Sequence, residues 1–150
     1  MAEVAFSRSL SVATLIGELI ETTGSTLDVA VYRFNNPQLA EAVRQAVLRG
    51  VSVRMVLDRG KYQEDPKTQK LLTAGSFPFR LLRGRQGKAS KMHHKFAILD
   101  GRAAITGSYN WTLESDESNY ENLVILRGRE TLEAYRREFE LLWEEAEGIS

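Results

Sequence analysis

The sequence predicts an α/β domain, and three observations carry that prediction. A β-branched and aromatic run, a proline-started helical stripe and an alternating apolar run succeed one another between residues 27 and 57, which is a strand–helix–strand unit. Two further apolar runs flank Asp100-Gly101, the strongest short-range hairpin signal. A long amphipathic pattern, Glu130 to Glu145, closes the chain. The 150 residues fit one domain, residues 1–150, large enough to bury about two thirds of the surface of the unfolded chain.

The elements follow in order. Val12, Leu15, Ile16, Leu19 and Ile20 have helical spacing, and Gly24 supplies a stop. Leu27 to Phe34 is the first strand. Asn36-Pro37 then reads as an N-cap with proline in the first turn, and Leu39, Val43, Ala46 and Val47 form the buried stripe of the helix it starts. Gly50 ends that helix, and Val51, Val53, Met55 and Leu57 alternate as in a strand. Such units are right-handed with parallel strands, so helices should cover at least one sheet face.

Beyond Gly60, the sequence predicts a short helix near Lys67 to Leu72 and a short strand from Phe77 to Leu82. Gly84 to Ser90 (GRQGKAS) is small and polar and is expected to be a mobile loop. Its Gly-Lys pair is not a phosphate-cradling P-loop, since Leu82 stands where the first glycine belongs and no Ser or Thr follows Lys88. The hairpin takes Phe96 to Leu99 and Ala103 to Thr106. A polar loop, Glu114 to Asn119, leads to a strand from Glu121 to Leu126. Leu132, Tyr135, Phe139 and Leu142 are the buried stripe of the last helix.

Composition narrows the function classes. With no cysteine, disulfides are impossible and a structural zinc site is disfavoured; no cofactor or metal is expected. Glu3, Arg8 and Glu18 interrupt the apolar residues of the N-terminus, which matches neither a signal peptide nor a membrane span, so the expected compartment is the cytoplasm. Net charge is zero, but charge is segregated. Arg80 to Lys95 holds six cations (Arg80, Arg83, Arg85, Lys88, Lys91, Lys95) and no acid, whereas Glu130 to Glu147 holds seven acids against two arginines. The basic stretch suits a phosphate-attracting rim, with Arg83, Arg85, Lys88 and Lys91 its candidate substrate contacts.

A two-residue Asp100-Gly101 turn would place Leu99 opposite Arg102, Lys95 opposite Thr106 and His93 opposite Ser108. Residues opposed across a ladder share a face, as do residues two apart along a strand. His93, Lys95 and Ser108 would then project together, with Asn110 after them, while His94, Phe96, Ile98, Ala103 and Ile105 face the core. An imidazole, a cation, a hydroxyl and an amide together suit the chemistry of a phosphodiester. Of the two histidines, His93 is therefore the candidate for catalysis.

These residues resemble the signature of the phospholipase D superfamily, H-x-K-x4-D-x6-G-S-x-N, with His93, Lys95, Asp100, Gly107, Ser108 and Asn110 at its spacing. VAVYRFNN through RGVSVRMVLDR, and NYENLVIL, are also similar to short members of that superfamily, so the resemblance runs from about Leu27 to Leu126. It is nearest to the single-motif members: the small bacterial endonucleases and the mitochondrial cardiolipin hydrolase type, which are homodimers. The resemblance implies a mixed β-sheet flanked by helices, with the motif strands of two protomers meeting at a twofold axis to share one active site. It also implies Glu121 as the carboxylate that holds the attacking imidazole in one tautomer. Asp100 and Gly107 are expected to serve structure, because aspartate belongs in an Asp-Gly turn. Trp111, just after the motif, is a candidate for the cleft wall.

The expected activity is metal-independent phosphodiester hydrolysis of nucleic acid. Neutral His93 would attack phosphorus to give a phosphohistidine, while Lys95, Asn110 and Ser108 stabilise the charge that accumulates on oxygen. The leaving alkoxide needs a proton from a second group titrating near neutrality. Alternation points His94 away, so the His93 of a second copy fills the role most simply. Three rivals are weighed: a phospholipid substrate for the same chemistry, a metal-dependent nuclease built on Asp58, Asp65 and Lys67, and a non-catalytic nucleic-acid or protein-binding module on the same fold. The lipid branch is less favoured, because the zinc insertion of the mitochondrial type is missing and no exposed apolar run suits a bilayer.

Overall fold

In a computed structural model, which describes residues 2–147, eight strands form one sheet in the order β1-β8-β7-β6-β2-β3-β4-β5. The strands are β1 Ala2–Phe6, β2 Thr26–Val31, β3 Ser52–Asp58, β4 Phe79–Gly84, β5 Gly87–Lys91, β6 Lys95–Leu99, β7 Ala103–Gly107 and β8 Asn122–Leu126. β2, β3 and β4 run parallel; every other neighbouring pair is antiparallel, so the sheet is mixed, as expected.

Helices cover both faces. α1 (Val12–Glu21), α2 (Pro37–Leu48) and α4 (Pro66–Gly75) share one face, where Val12, Ile16, Leu39, Val43 and Leu72 pack against Val29, Met55 and Ala97. On the other face Phe139 and Leu142 of α6 (Arg129–Glu145) lie over Ala30, Val56, Phe96 and Ile98. The central strands are thus buried on both sides, which is why they lack polar alternation. Capping sets the helix starts: Asn36 Oδ1 accepts from the Gln38 amide ahead of Pro37, and Ser11 Oγ accepts from Thr14. Arg54 ties α6 to the sheet, bonded to Asp28 at 2.9 Å and Glu140 at 2.6 Å with its guanidinium over the Phe139 ring.

Several expectations need correction. Gly84 to Ser90 is the tip of a β4–β5 hairpin: Arg83 pairs with Lys91, and a Cβ on Gly84 would meet the Lys91 backbone nitrogen at 2.3 Å. Glycine here permits a close backbone approach where a mobile loop was expected. The Asp100-Gly101 hairpin forms, but Leu99 pairs with Ala103 and Ala97 with Ile105, one residue away from the inferred register. The turn closes the Arg102 amide on the Leu99 carbonyl, and Arg102 is then an extra residue before the ladder. Ile105 accordingly shares the α1–α2 core with Ala97, while Phe96 and Ile98 face α6. β1, α3 (Arg59–Glu64) and α5 (Leu113–Glu117) are further elements that periodicity did not reveal. Among the described residues, no helix is long and apolar enough to cross a membrane.

Candidate active site

β6, β7 and β8 are neighbours, and one end of this trio carries four of the residues singled out from sequence. Lys95 begins β6 with His93 two residues ahead, Ser108 follows β7, and Glu121 precedes β8. Topology brings them together although the inferred register is wrong. Gly107 supplies the correction: its φ is +153° and a Cβ would meet the Asn122 carbonyl oxygen at 2.1 Å, so the extended alternation breaks just before Ser108.

His93 sits on a segment fixed from both sides. The Met92 amide donates to Asp58 Oδ1 at 2.9 Å, and the His94 carbonyl accepts from the Tyr32 amide at 2.8 Å. The imidazole lies against the Tyr32 ring, with centroids 4.5 Å apart. Lys95 Nζ is 2.9 Å from the His93 carbonyl oxygen and 3.3 Å from Nδ1. An ammonium has only donors, so in this arrangement Nδ1 presents its lone pair and the ring proton sits on Nε2. Burial, followed by the positive charges of Lys95 and Lys91, lowers the His93 pKa, with Asp58 opposing. Burial also lowers that of Lys95, against the pull of Glu121.

Ser108 Oγ donates to Glu121 Oε1 at 2.6 Å and accepts from the Asn122 amide at 3.1 Å. The second Glu121 oxygen accepts from Asn119 Nδ2 at 3.2 Å. Glu121 thus holds the Ser108 hydroxyl rather than the imidazole, a correction to its expected bond. Asn110 is half-buried, and its Oδ1, fully shielded, has no hydrogen-bond partner among the described residues. Such an atom is costly to leave unpaired.

The cations divide between a cleft that His93 lines and a second pocket lined by Tyr32, whose ring lies against His93. Arg83, Arg85 and Lys91 line a cleft of about 640 Å3 together with His93 and His94, closed by Leu141 and Glu138 of α6. Arg83, Lys88 and Lys91 also line a smaller pocket of about 160 Å3 with Tyr32, Asp58 and Lys61. Lys61, which sequence reading missed, belongs to this group because α3 begins at Asp58 and turns back over Tyr32, with Nζ 5.7 Å from its ring. His94 points to α6 instead, 3.4 Å from Glu138 and edge-on to Phe96.

The expected cleft-wall residue lies elsewhere. Trp111 is 1% exposed and packs on Phe34, so it belongs to the core and not to a cleft wall. Asp100 is at the far end of the strands, where its carboxylate accepts from the amides of Gly24, Ser25 and Thr26. Asp58 and Asp65, the carboxylates of the metal-dependent rival, are engaged as helix caps. Asp58 accepts from Met92 and Lys61, and Asp65 from Lys67 and Asn35. Asp58, 3% exposed and singled out from sequence only as a metal ligand of that rival, instead fixes the backbone next to His93. Its signal in the sequence was only its place at the end of a strand ahead of Arg-Gly.

Residues 16–143 match the family model described as cardiolipin synthase, PLD-like domain. The chain is 38% identical over 132 residues to a protein from Xenopus laevis named mitochondrial cardiolipin hydrolase, covering 85% of this chain and 60% of that one. It is 31% identical over 121 residues to a phospholipase D from Rickettsia felis, covering 80% and 58% respectively. The chain thus spans about three fifths of these relatives. Among solved structures, it is similar to Nuc, a phospholipase D family member from Salmonella typhimurium, with a TM-score of 0.86, 23% identity, and 97% of this chain and 95% of that one covered. NucT from Helicobacter pylori is likewise similar, with a TM-score of 0.86, 21% identity, and 99% and 100% coverage.

Proposed function

The chain belongs to the phospholipase D superfamily, and from that premise we propose that it is a metal-independent phosphodiesterase acting on nucleic acid, with an active site completed by a second copy of the chain. The observation that carries this reading is a neutral-leaning imidazole at His93 against Lys95, flanked by Arg83, Arg85, Lys88 and Lys91 on two sides. A phosphodiester is anionic, and a cationic approach with a deprotonated nucleophile at its centre suits it.

The chemistry follows from the contacts. A substrate phosphate competes for Lys95 and draws the ammonium off Nδ1, which frees the ring proton to move there and exposes the Nε2 lone pair. Nε2 attacks phosphorus; a P–N bond forms as the P–O bond to the leaving group breaks. The second copy's His93 enters the cycle protonated, its imidazolium favoured by the anionic phosphate between the two copies; the departing alkoxide takes that proton, and the imidazole so formed deprotonates the water that cleaves the phosphohistidine. Lys95 and the Asn110 amide nitrogen stabilise the equatorial oxygens, and Ser108 joins them once its hydroxyl proton turns from Glu121 to the phosphate.

One observation favours a second reading, a phospholipid substrate. The large cleft is part apolar, with Leu82, Met92, Leu141 and Leu142 in its lining, and curated relatives bear the name cardiolipin hydrolase. The discriminating experiment incubates the protein in EDTA with labelled single- and double-stranded DNA, RNA and cardiolipin vesicles, beside His93→Ala. The reading expects oligonucleotide cleavage that survives the chelator and is lost in the variant. Turnover of cardiolipin alone would transfer the assignment to lipid, and loss of activity in EDTA would remove the histidine mechanism.

A further inference from the structure

The strand trio that carries the candidate active site has a second pole. Where His93, Ser108 and Glu121 gather at one end of β6, β7 and β8, the other end carries the β6–β7 turn with Arg102, the β8–α6 connection with Arg127, and the start of α6 with Arg129. Arg136, farther along α6, joins them, and the four guanidiniums line one groove of about 460 Å3. Glu133 is the one carboxylate in that lining. All four arginines are exposed; Arg127 is engaged with Glu3, and among the described residues Arg102, Arg129 and Arg136 form no salt bridge.

We propose that this arginine groove is an anion-binding exosite that grips the phosphate backbone of a polynucleotide whose scissile bond lies at His93, an inference that rests on the nucleic-acid reading of the active site. Three chain segments supply the arginines, so their convergence is a product of the fold and not of a local run of basic residues. Guanidinium is the side chain suited to bidentate phosphate contacts. The β6 strand and its flanks separate the groove from His93 by roughly 20–25 Å at about 3.3 Å per residue. One small anion cannot reach both poles. A nucleic-acid strand with a rise of about 3.4 Å per nucleotide covers the span in about six to seven nucleotides. A bilayer surface fits less well: the groove's one large apolar residue, Leu132, is 8% exposed and offers nothing to insert.

The test compares the full chain with an Arg129→Ala/Arg136→Ala double variant, which leaves the Arg127–Glu3 pair and the Asp100 turn in place. Binding of a 30-nucleotide strand and of a 5-nucleotide strand is measured across a salt series in a His93→Ala background. Turnover of bis(4-nitrophenyl) phosphate is followed with His93 intact. The expected result is a roughly tenfold weaker grip on the 30-mer, with a log-affinity against log-salt slope shallower by about 2, while 5-mer binding and diester turnover stay within about twofold. Unchanged 30-mer affinity and slope would overturn the exosite while leaving the nuclease reading intact. A parent protein that ignores the 30-mer but turns over the small diester would overturn both. So would arginine-dependent binding confined to cardiolipin vesicles, which would reassign the groove to lipid.

Discussion

Burial, then the neighbouring charges of Lys95 and Lys91, lower the His93 pKa from its ordinary value near 6.5. A nucleophile must be neutral, so the acidic limb of the rate profile should lie below that ordinary value, with activity lost as pH falls through it. Lys91→Gln removes one of the depressing charges, and the limb should move toward higher pH in the pH–kcat/KM profile for a small diester. An unmoved limb would show that Lys91 does not act on His93. Asp100 makes a different contribution, to stability. Burial raises its pKa, but the amides of Thr26, Ser25 and Gly24 outweigh that and hold it below the usual 3.8. Because the folded value is the lower one, the contribution is full above the unfolded value and disappears as pH falls through the folded one. Asp100→Ala should cost about 1–3 kcal/mol in urea unfolding at neutral pH, with a smaller gap near pH 3, and should leave turnover per folded molecule within about twofold. Equal stability at neutral pH would deny the carboxylate its role as a latch between the motif hairpin and β2.

A strong repeat or a turn or capping signal marked α1, β2, α2, β3, α4, β4, β6, β7, β8 and α6, which all lie within a few residues of expectation. What it missed depends on long-range partners. β1 pairs only with β8, more than a hundred residues away, and β5 exists because Gly84 lets its backbone meet Lys91. The motif spacing singled out His93, Lys95 and Ser108, which lie at one end of β6, β7 and β8, yet the register used to explain it was off by one, because Arg102 adds a residue before the ladder. Asp58 illustrates the same limit. Nothing local marks an aspartate at a strand end as a brace for a histidine 35 residues later, but its two oxygens join α3 to the segment before β6. Asp58→Ala would strand two amides and let the Met92–His93 segment drift, with a loss of about 2–4 kcal/mol in stability. The kcat for a small diester should fall by about a hundredfold with KM little changed. Asp58→Asn keeps an acceptor for Met92 and should recover part of kcat; a variant that folds and turns over normally would show that His93 needs no such brace.

Across the whole molecule, one chain offers a single site histidine, since His94 is turned toward Glu138 and α6. Hydrolysis through a phosphohistidine needs both a nucleophile and an acid titrating near neutrality. On the proposal that a second copy supplies the acid, cooperation between protomers becomes a quantitative prediction. If each working site requires His93 from two chains, protein refolded from equal amounts of the parent chain and His93→Ala should be active only where two parent chains meet. Random pairing makes that about a quarter of all dimers, so activity per total protein should fall to about one quarter of the parent value, and with the square of the parent fraction at other ratios. Self-sufficient protomers would give about one half and a linear dependence. The linear outcome would require a general acid within the chain, and His94 would then be the residue to substitute.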